Sequence, residues 1–256
     1  MSAEPQQQSP ESETVDQEAA SSMISVQRRN LIFVAVLLGM LLAALDGTIV
    51  ATALPTVVAD LGDAGHQSWV VTSYLLASTV ATAVMGKFGD LFGRRAVFIA
   101  CIVIFAAGSL LCGMAGSMAM LVGARAIQGL GSGGLMVTAT ALIGEIIPMR
   151  ERGRYQGMLG AVFGVTTVIG PLLGGLFTDH LGWRWAFYIN LPISVVVIVV
   201  AAAAIPALAK ATRPVIDYWG IVLIGLGASA LTLATSWGGT TYPWSSPVII
   251  GLFVGA

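Results

Sequence analysis

Residues 31–57 read LIFVAVLLGMLLAALDGTIVATALPTV, an apolar run broken by a single ionisable side chain, Asp46. A helix needs about 20 apolar residues to cross the hydrocarbon core of a bilayer, so this stretch is long enough to span. Working outward, runs of the same kind recur. Predicted helices cover 67–86, 96–115, 118–144, 156–178, 184–205 and 219–237, and an eighth begins near Pro247. Strands of an outer-membrane barrel would alternate apolar and polar residues over about ten positions, and these runs do not alternate. The fold class is therefore all-α, a polytopic membrane protein.

Composition agrees. Of the 256 residues, 56% are apolar and 10% charged, against about 25% charged in soluble domains. A net charge of −1 offers no basic face to release counterions from phosphates, so nucleic acid is excluded as a partner. Residues 1–29 are rich in Gln, Ser and Glu with little to bury, which predicts a disordered tail. Cys101 and Cys112 are eleven residues apart in one predicted helix, about 16 Å along its axis, too far for a disulfide. His66 and His180 stand in predicted outer loops beside Asp63 and Asp179. Neither has the company a metal site needs. No cofactor and no enzyme activity is expected.

The basic residues orient the chain. Arg28 and Arg29 precede the first helix, and Lys87, Arg94 and Arg95 follow the second. Arg150, Arg152 and Arg154 follow the fourth, and Lys210 and Arg213 the sixth. All ten fall on one side, Arg184 alone falls on the other, and Arg125 lies within a helix. By the positive-inside rule the N-terminus faces the cytoplasm. Trp183, Trp185, Tyr188, Tyr242 and Trp244 then form an aromatic belt at the outer interface.

Asp46 and Arg125 are the two charges set well inside apolar helices. Such groups cost about 2.5–3.5 kcal/mol on insertion scales and mark candidate functional sites. Counting along the helices puts Asp46 roughly 13 Å and Arg125 roughly 10 Å below the same face. At matching depths they can pair, or share a water-filled cavity. In one reading Asp46 exchanges a proton while Arg125 tunes it. In the other the two form a structural ion pair.

Small residues recur on two helices. Gly129 and Gly133 sit four apart on the fourth, beside Gln128, Gly131 and Gly134; the fifth carries Gly160, Gly164, Gly170, Pro171, Gly174 and Gly175. This spacing lets helix backbones approach closely, and Pro171 permits a kink. After the second helix a charged loop is predicted from Gly86 through Asp90 and Gly93 to Arg94 and Arg95, with Asp90 and Arg94 placed to pair.

Together these segments resemble the major facilitator superfamily, and more narrowly its fourteen-helix drug:proton antiporter branch. The first-helix signature is matched by Leu45 to Pro55, and the loop between helices two and three by Gly86 to Arg95. Arg125 to Gly131 resembles the fourth-helix arginine motif, and Gly170-Pro171-Leu-Leu-Gly174-Gly175 the antiporter motif of the fifth helix. Trp183 to Pro192 resembles a sequence common at the start of helix six. One departure is Thr166, where the antiporter motif usually has glycine.

The resemblance implies roles and an architecture. Asp46 and Arg125 would couple protons, and Asp90, Arg94 and Arg95 would form a cytoplasmic gate. Gly170, Pro171 and Gly174 would make a pliable helix that blocks leak. Residues 30–205 would be a six-helix half of two inverted three-helix repeats, with helices one and four lining a central cavity. Residues 206–256 would hold a cytoplasmic loop and the first linker helices.

Alternating access needs two such halves, so the C-terminal half is the expected missing partner, whether in a longer protein or in a split transporter. The 256 residues alone are expected to be inactive. The intact protein is expected to expel multidrug or lipophilic, cationic solutes across the cell (cytoplasmic) membrane by proton antiport, with the proton gradient as energy source. Its alternatives are transport of another small solute (sugar, organic acid, peptide or lipid) and a non-transporting fragment. Beyond that second half, the implied partners are the lipid bilayer, the solute and protons.

Overall fold

A computed structural model of the protein describes residues 25–206 and 218–256. Helix α1 (Val26–Leu61) opens where the Ser25 hydroxyl accepts from the amide of Arg28 at 3.3 Å, a side-chain N-cap. It ends at Gly62, whose φ of 72° suits a residue without a Cβ. After a 3₁₀ turn at Ala64–His66 come α2 (Gln67–Phe92), α3 (Arg94–Gly113), α4 (Met118–Ile146) and α5 (Met149–His180). A four-residue turn, Trp185–Tyr188, leads into α6 (Asn190–Ala204), which α7 (Tyr218–Trp237) and α8 (Pro247–Gly255) follow. Pro192 is the third residue of α6; lacking an N–H, it is tolerated in a first turn but cannot carry the preceding turn's ladder onward. Among the described residues, seven helices are long and apolar enough to cross a membrane, counting Trp185–Ala204 as one. The protein is a multi-pass membrane protein.

Three sequence expectations need correction. The first helix begins at Val26, so Val26 to Arg29 belong to it; residues 1–24 of the expected tail, with Lys210 and Arg213, lie outside the described residues. The charged stretch after the second helix is not a loop. It is helical through Phe92 and breaks at Gly93 alone, with φ 90°. One left-handed residue reverses the chain there, which glycine permits without strain. His180 closes α5 and is not in a loop.

The most extensive helix contacts pair α2 with α4, α3 with α4 and α1 with α5. Glycine makes them possible. A Cβ on Gly129 would strike the backbone of Tyr74, one on Gly133 the carbonyl of Ser78, and one on Gly131 the backbone of Phe105. Across α1 and α5, a Cβ on Gly170 would strike the Thr48 side chain and one on Gly174 would come within 2.9 Å of Thr52. Gly160, Gly164 and Gly175 do not serve this way, because a Cβ on each would meet nothing within 4 Å. Helix α7 lies on α2, joined by a 2.9 Å Thr72–Ser236 hydroxyl pair and by edge-on contact of Trp69 with Trp237.

Two apolar clusters fill the bundle. One, with Ile32, Phe98, Phe105, Leu135 and Val197, lies toward the start of α1. The other, with Ile49, Val57, Val70, Leu121 and Phe187, lies toward its end. Asp46 stands in the layer between them.

The glycine contacts yield a paired prediction. Gly133→Ala places a methyl group on the Ser78 carbonyl and is expected to cost about 1–3 kcal/mol through overpacking, seen as a lowered thermal unfolding midpoint in detergent. Gly160→Ala, with open space around it, should leave that midpoint unchanged or raise it.

Candidate functional site: a buried charge centre

Asp46 of α1 and Arg125 of α4 are 0% and 2% exposed. Arg125 Nη1 donates to Asp46 Oδ2 at 2.5 Å. The other carboxylate oxygen, Oδ1, accepts from Gln128 Nε2 at 2.7 Å and from Asn190 Nδ2 at 2.9 Å. Each amide nitrogen also donates to Ser109 Oγ on α3, at 2.6 Å from Gln128 and 3.0 Å from Asn190. Four helices therefore converge on one carboxylate: α1 supplies it, and α3, α4 and α6 supply its shell.

The arginine is held as fully. Its Nε donates to the Val70 carbonyl at 3.3 Å, and Nη1 also donates to Gln128 Oε1 at 2.7 Å. Its guanidinium carbon lies 4.0 Å from the centroid of the Tyr74 ring, a cation–π contact strengthened by the burial of both groups. Tyr74 is fixed in turn by a 2.6 Å hydrogen bond to Ser132 on α4. Close contact of Gly129 with Tyr74 brings this ring within reach.

The expected pairing of Asp46 with Arg125 is present, but neither residue lines an open cavity. Both lie inside the six-helix bundle, because α3 and α6 close over them with Ser109 and Asn190. Gln128, expected as a packing residue, instead bridges both charges and Ser109.

The arginine-rich end carries a second network. Arg94 donates to Asp90 at 3.0 Å across the Gly93 break and pairs with Glu145 at the end of α4. Arg95 turns away from Asp90 and donates to the Ala202 carbonyl of α6 at 2.6 Å. Arg28 does the same at Ala204, at 3.0 Å. Gly86 sits within α2, where a Cβ would lie 3.3 Å from Val137 of α4. At the opposite, aromatic end, Asp60 accepts from Trp183 Nε1 at 2.9 Å and Arg184 Nη1 at 3.0 Å, tying α1 to the turn before α6.

Sequence reasoning missed Ser109, Asn190, Tyr74 and Glu145. Ser109 and Asn190 carried a usable signal, since each is a polar side chain inside a predicted span, where such groups seek partners across helices. Glu145 carried one too, as an acid at the end of the helix facing the Arg94 turn. Among the described residues no cluster of His, Cys, Asp and Glu is arranged to hold a metal.

Fold and charge centre together define a multi-pass α-helical protein built around a dehydrated ion pair. The Major Facilitator Superfamily profile matches residues 36–256, and the chain belongs to that superfamily. It is 57% identical over 238 residues to an "Uncharacterized MFS-type transporter" of Mycobacterium tuberculosis, covering 93% of this chain and 35% of that protein. It is 41% identical to multidrug transporter protein MdtP of Bacillus subtilis, covering 88% of this chain and 42% of that one. Multidrug resistance protein 3 of the same organism is also 41% identical, covering 85% and 43%. The fold is similar to the crystal structure of the human organic anion transporter MFSD10 (TETRAN), with a TM-score of 0.65 at 17% identity, over 87% of this chain and 59% of that one. The chain thus spans less than half the length of the three bacterial relatives, two of which are named as transporters.

Removing one partner of a buried ion pair strands the other, at about 3–5 kcal/mol. Arg125→Leu alone is therefore expected to destabilise strongly. Adding Asp46→Leu should recover most of the loss, because the pair can be exchanged for apolar groups with little penalty. A double-mutant cycle on unfolding midpoints checks this.

Proposed function

We propose that this chain is the proton-handling part of an exporter that exchanges protons for a lipophilic solute, with Asp46 as the group that gains and loses the proton. The observation that carries the reading is a carboxylate and a guanidinium held in one dehydrated layer. A replacement by apolar residues of similar volume is often neutral or stabilising, so the retained charges suit a use beyond packing. When Asp46 binds a proton, its attraction for Arg125 falls. Arg125 keeps its charge in either state and must then find compensation elsewhere. That shift gives each protonation state its own preferred packing of α1 against α4, the differential interaction that coupling requires.

The names of two relatives, a multidrug transporter protein and a multidrug resistance protein, support drug-like solutes as the substrate class. The arginine-rich end supports a cytoplasmic location for the start of α1 in the cell membrane. A second six-helix half is the partner that alternating access calls for, and the Arg94–Asp90–Glu145 network suits a gate at the cytoplasmic end.

The test uses proteoliposomes holding the whole protein, an imposed pH gradient and a lipophilic cationic dye. Dye addition should release protons, and Asp46→Asn should lower that release at least tenfold while dye binding persists. Proton release unchanged in Asp46→Asn would remove Asp46 from the role and leave a structural ion pair. Release driven by a sugar or organic acid in place of the dye would replace the substrate class and keep the site.

A further inference from the structure

Gln128 and Asn190 reach Asp46 in the same way. Each carboxamide nitrogen spans Asp46 Oδ1 and Ser109 Oγ, with all four contacts between 2.6 and 3.0 Å. Their carbonyl ends differ. Gln128 Oε1 accepts from Arg125 Nη1 at 2.7 Å and lies 3.6 Å from Cys112 Sγ, so turning that amide over would forfeit a charge-assisted bond. Asn190 Oδ1 has no hydrogen-bond partner, although the residue is 1% exposed. A buried carbonyl oxygen without a donor is costly and uncommon. Its orientation nevertheless follows from the carboxylate, since the reverse would set two acceptors against each other.

The geometry points to Asn190 as the residue that senses the protonation state of Asp46, by rotation of its carboxamide. This rests on the reading of Asp46 as the titrating group. With Asp46 ionised, Asn190 donates through Nδ2. Once a proton has bound at Oδ1, that oxygen carries an O–H and needs an acceptor, and every neighbour now facing it is a donor. Rotating the Asn190 amide by half a turn supplies the acceptor. Oδ1 moves into the place of Nδ2, takes the Asp46 O–H, and receives the Ser109 hydroxyl as a second donor. The two ends of a carboxamide are nearly equal in size, so the rotated form needs no extra room. Ser194 lies one turn further along α6, and its hydroxyl is buried and also without a partner. Residues four apart share a helix face, and since Ser194 Oγ does not bond Asn190 Oδ1 in this state, a change of Ser194 rotamer accompanies the rotation and brings its hydroxyl to accept from the displaced Nδ2. No covalent bond changes except the O–H formed when the proton arrives.

The other titratable groups facing the centre cannot take this part. Arg125 on α4 has no acceptor to offer. Tyr74 on α2 gives its hydroxyl to Ser132, and Cys112 on α3 faces Gln128. Helix α5 has no ionisable residue between Tyr155 and Asp179, α6 has none, and Tyr188 lies in the turn before α6 against Gly113. On α1, Asp46 is the single ionisable residue between Arg29 and Asp60.

Difference infrared spectroscopy of the whole protein in lipid nanodiscs, at high against low pH, tests this. The spectrum should contain a carboxylic-acid band that Asp46→Asn removes. It should also contain a shift of a side-chain amide band that Asn190→Leu removes and Asn190→Gln, which keeps a reversible amide, retains. Isotope-labelled asparagine assigns the band, because its isotope shift should disappear in Asn190→Gln, whose side-chain amide carries no label. An Asp46 acid band with no accompanying Asn190 amide shift would overturn the proposal and leave Asp46 as the titrating group. Absence of the acid band would overturn both.

Discussion

Taking a carboxylate and a guanidinium out of water costs several kcal/mol for each ion, and their attraction offsets this only when the remaining polar atoms are also satisfied. Asp46 and Arg125 meet that condition by drawing partners from several helices at once. Helix α4 supplies Arg125 and Gln128, α3 supplies Ser109, α6 supplies Asn190, and α2 supplies the Val70 carbonyl and the Tyr74 ring. None of these helices can shift far in this layer without exposing a charge to an apolar wall. The register of the bundle is set here, and the two apolar clusters fill the space above and below.

Close packing makes the centre reachable. Arg125 can lie on Tyr74 because α2 and α4 approach until Gly129 touches the Tyr74 backbone and Gly133 lies on the Ser78 carbonyl. On the far side of Asp46, α1 and α5 approach through Gly170 on Thr48 and Gly174 on Thr52. Between lipid-facing helices there is no hydrophobic drive to associate, so dispersion at such small-residue contacts carries the cohesion. The glycines therefore act on the charge centre by bringing its walls together, without touching either charge.

Much of this was legible in the sequence. Seven spans, the unusual status of Asp46 and Arg125 and their shared depth follow from length, hydropathy and helical rise alone. What stayed hidden was which face each helix turns to its neighbours. Gly160 and Gly164 have the same spacing as Gly129 and Gly133, yet one pair meets open space and the other meets backbone. Gln128 read as packing because it sits among glycines, when its side chain is the longest uncharged polar arm bonded to Asp46. Asn190, a polar residue inside a predicted span, signalled that it needed a partner but not which one. Its partners on α1 and α3 are 144 and 81 residues away, and no local pattern reports a contact of that range. The stretch from Gly86 to Arg95 misled for the opposite reason, since its glycines suggested a flexible turn where Gly93 alone leaves the helix.

The arginines at the ends of α1 and α3 bear on how α6 can move. Arg28 and Arg95 donate to the carbonyls of Ala204 and Ala202, among the last of the helix and without partners in its own ladder. Both cations also complement the negative end of the helix dipole. Helix α6 is thus pinned at its finish, and at its start it is held to Asp46 and Ser109 through the Asn190 amide. A rod fastened at its finish can swing or twist but cannot slide along its length. Rearrangement near Asn190 is therefore confined to rotation and tilt about a fulcrum some 14 residues away, about 21 Å at the rise of an α-helix.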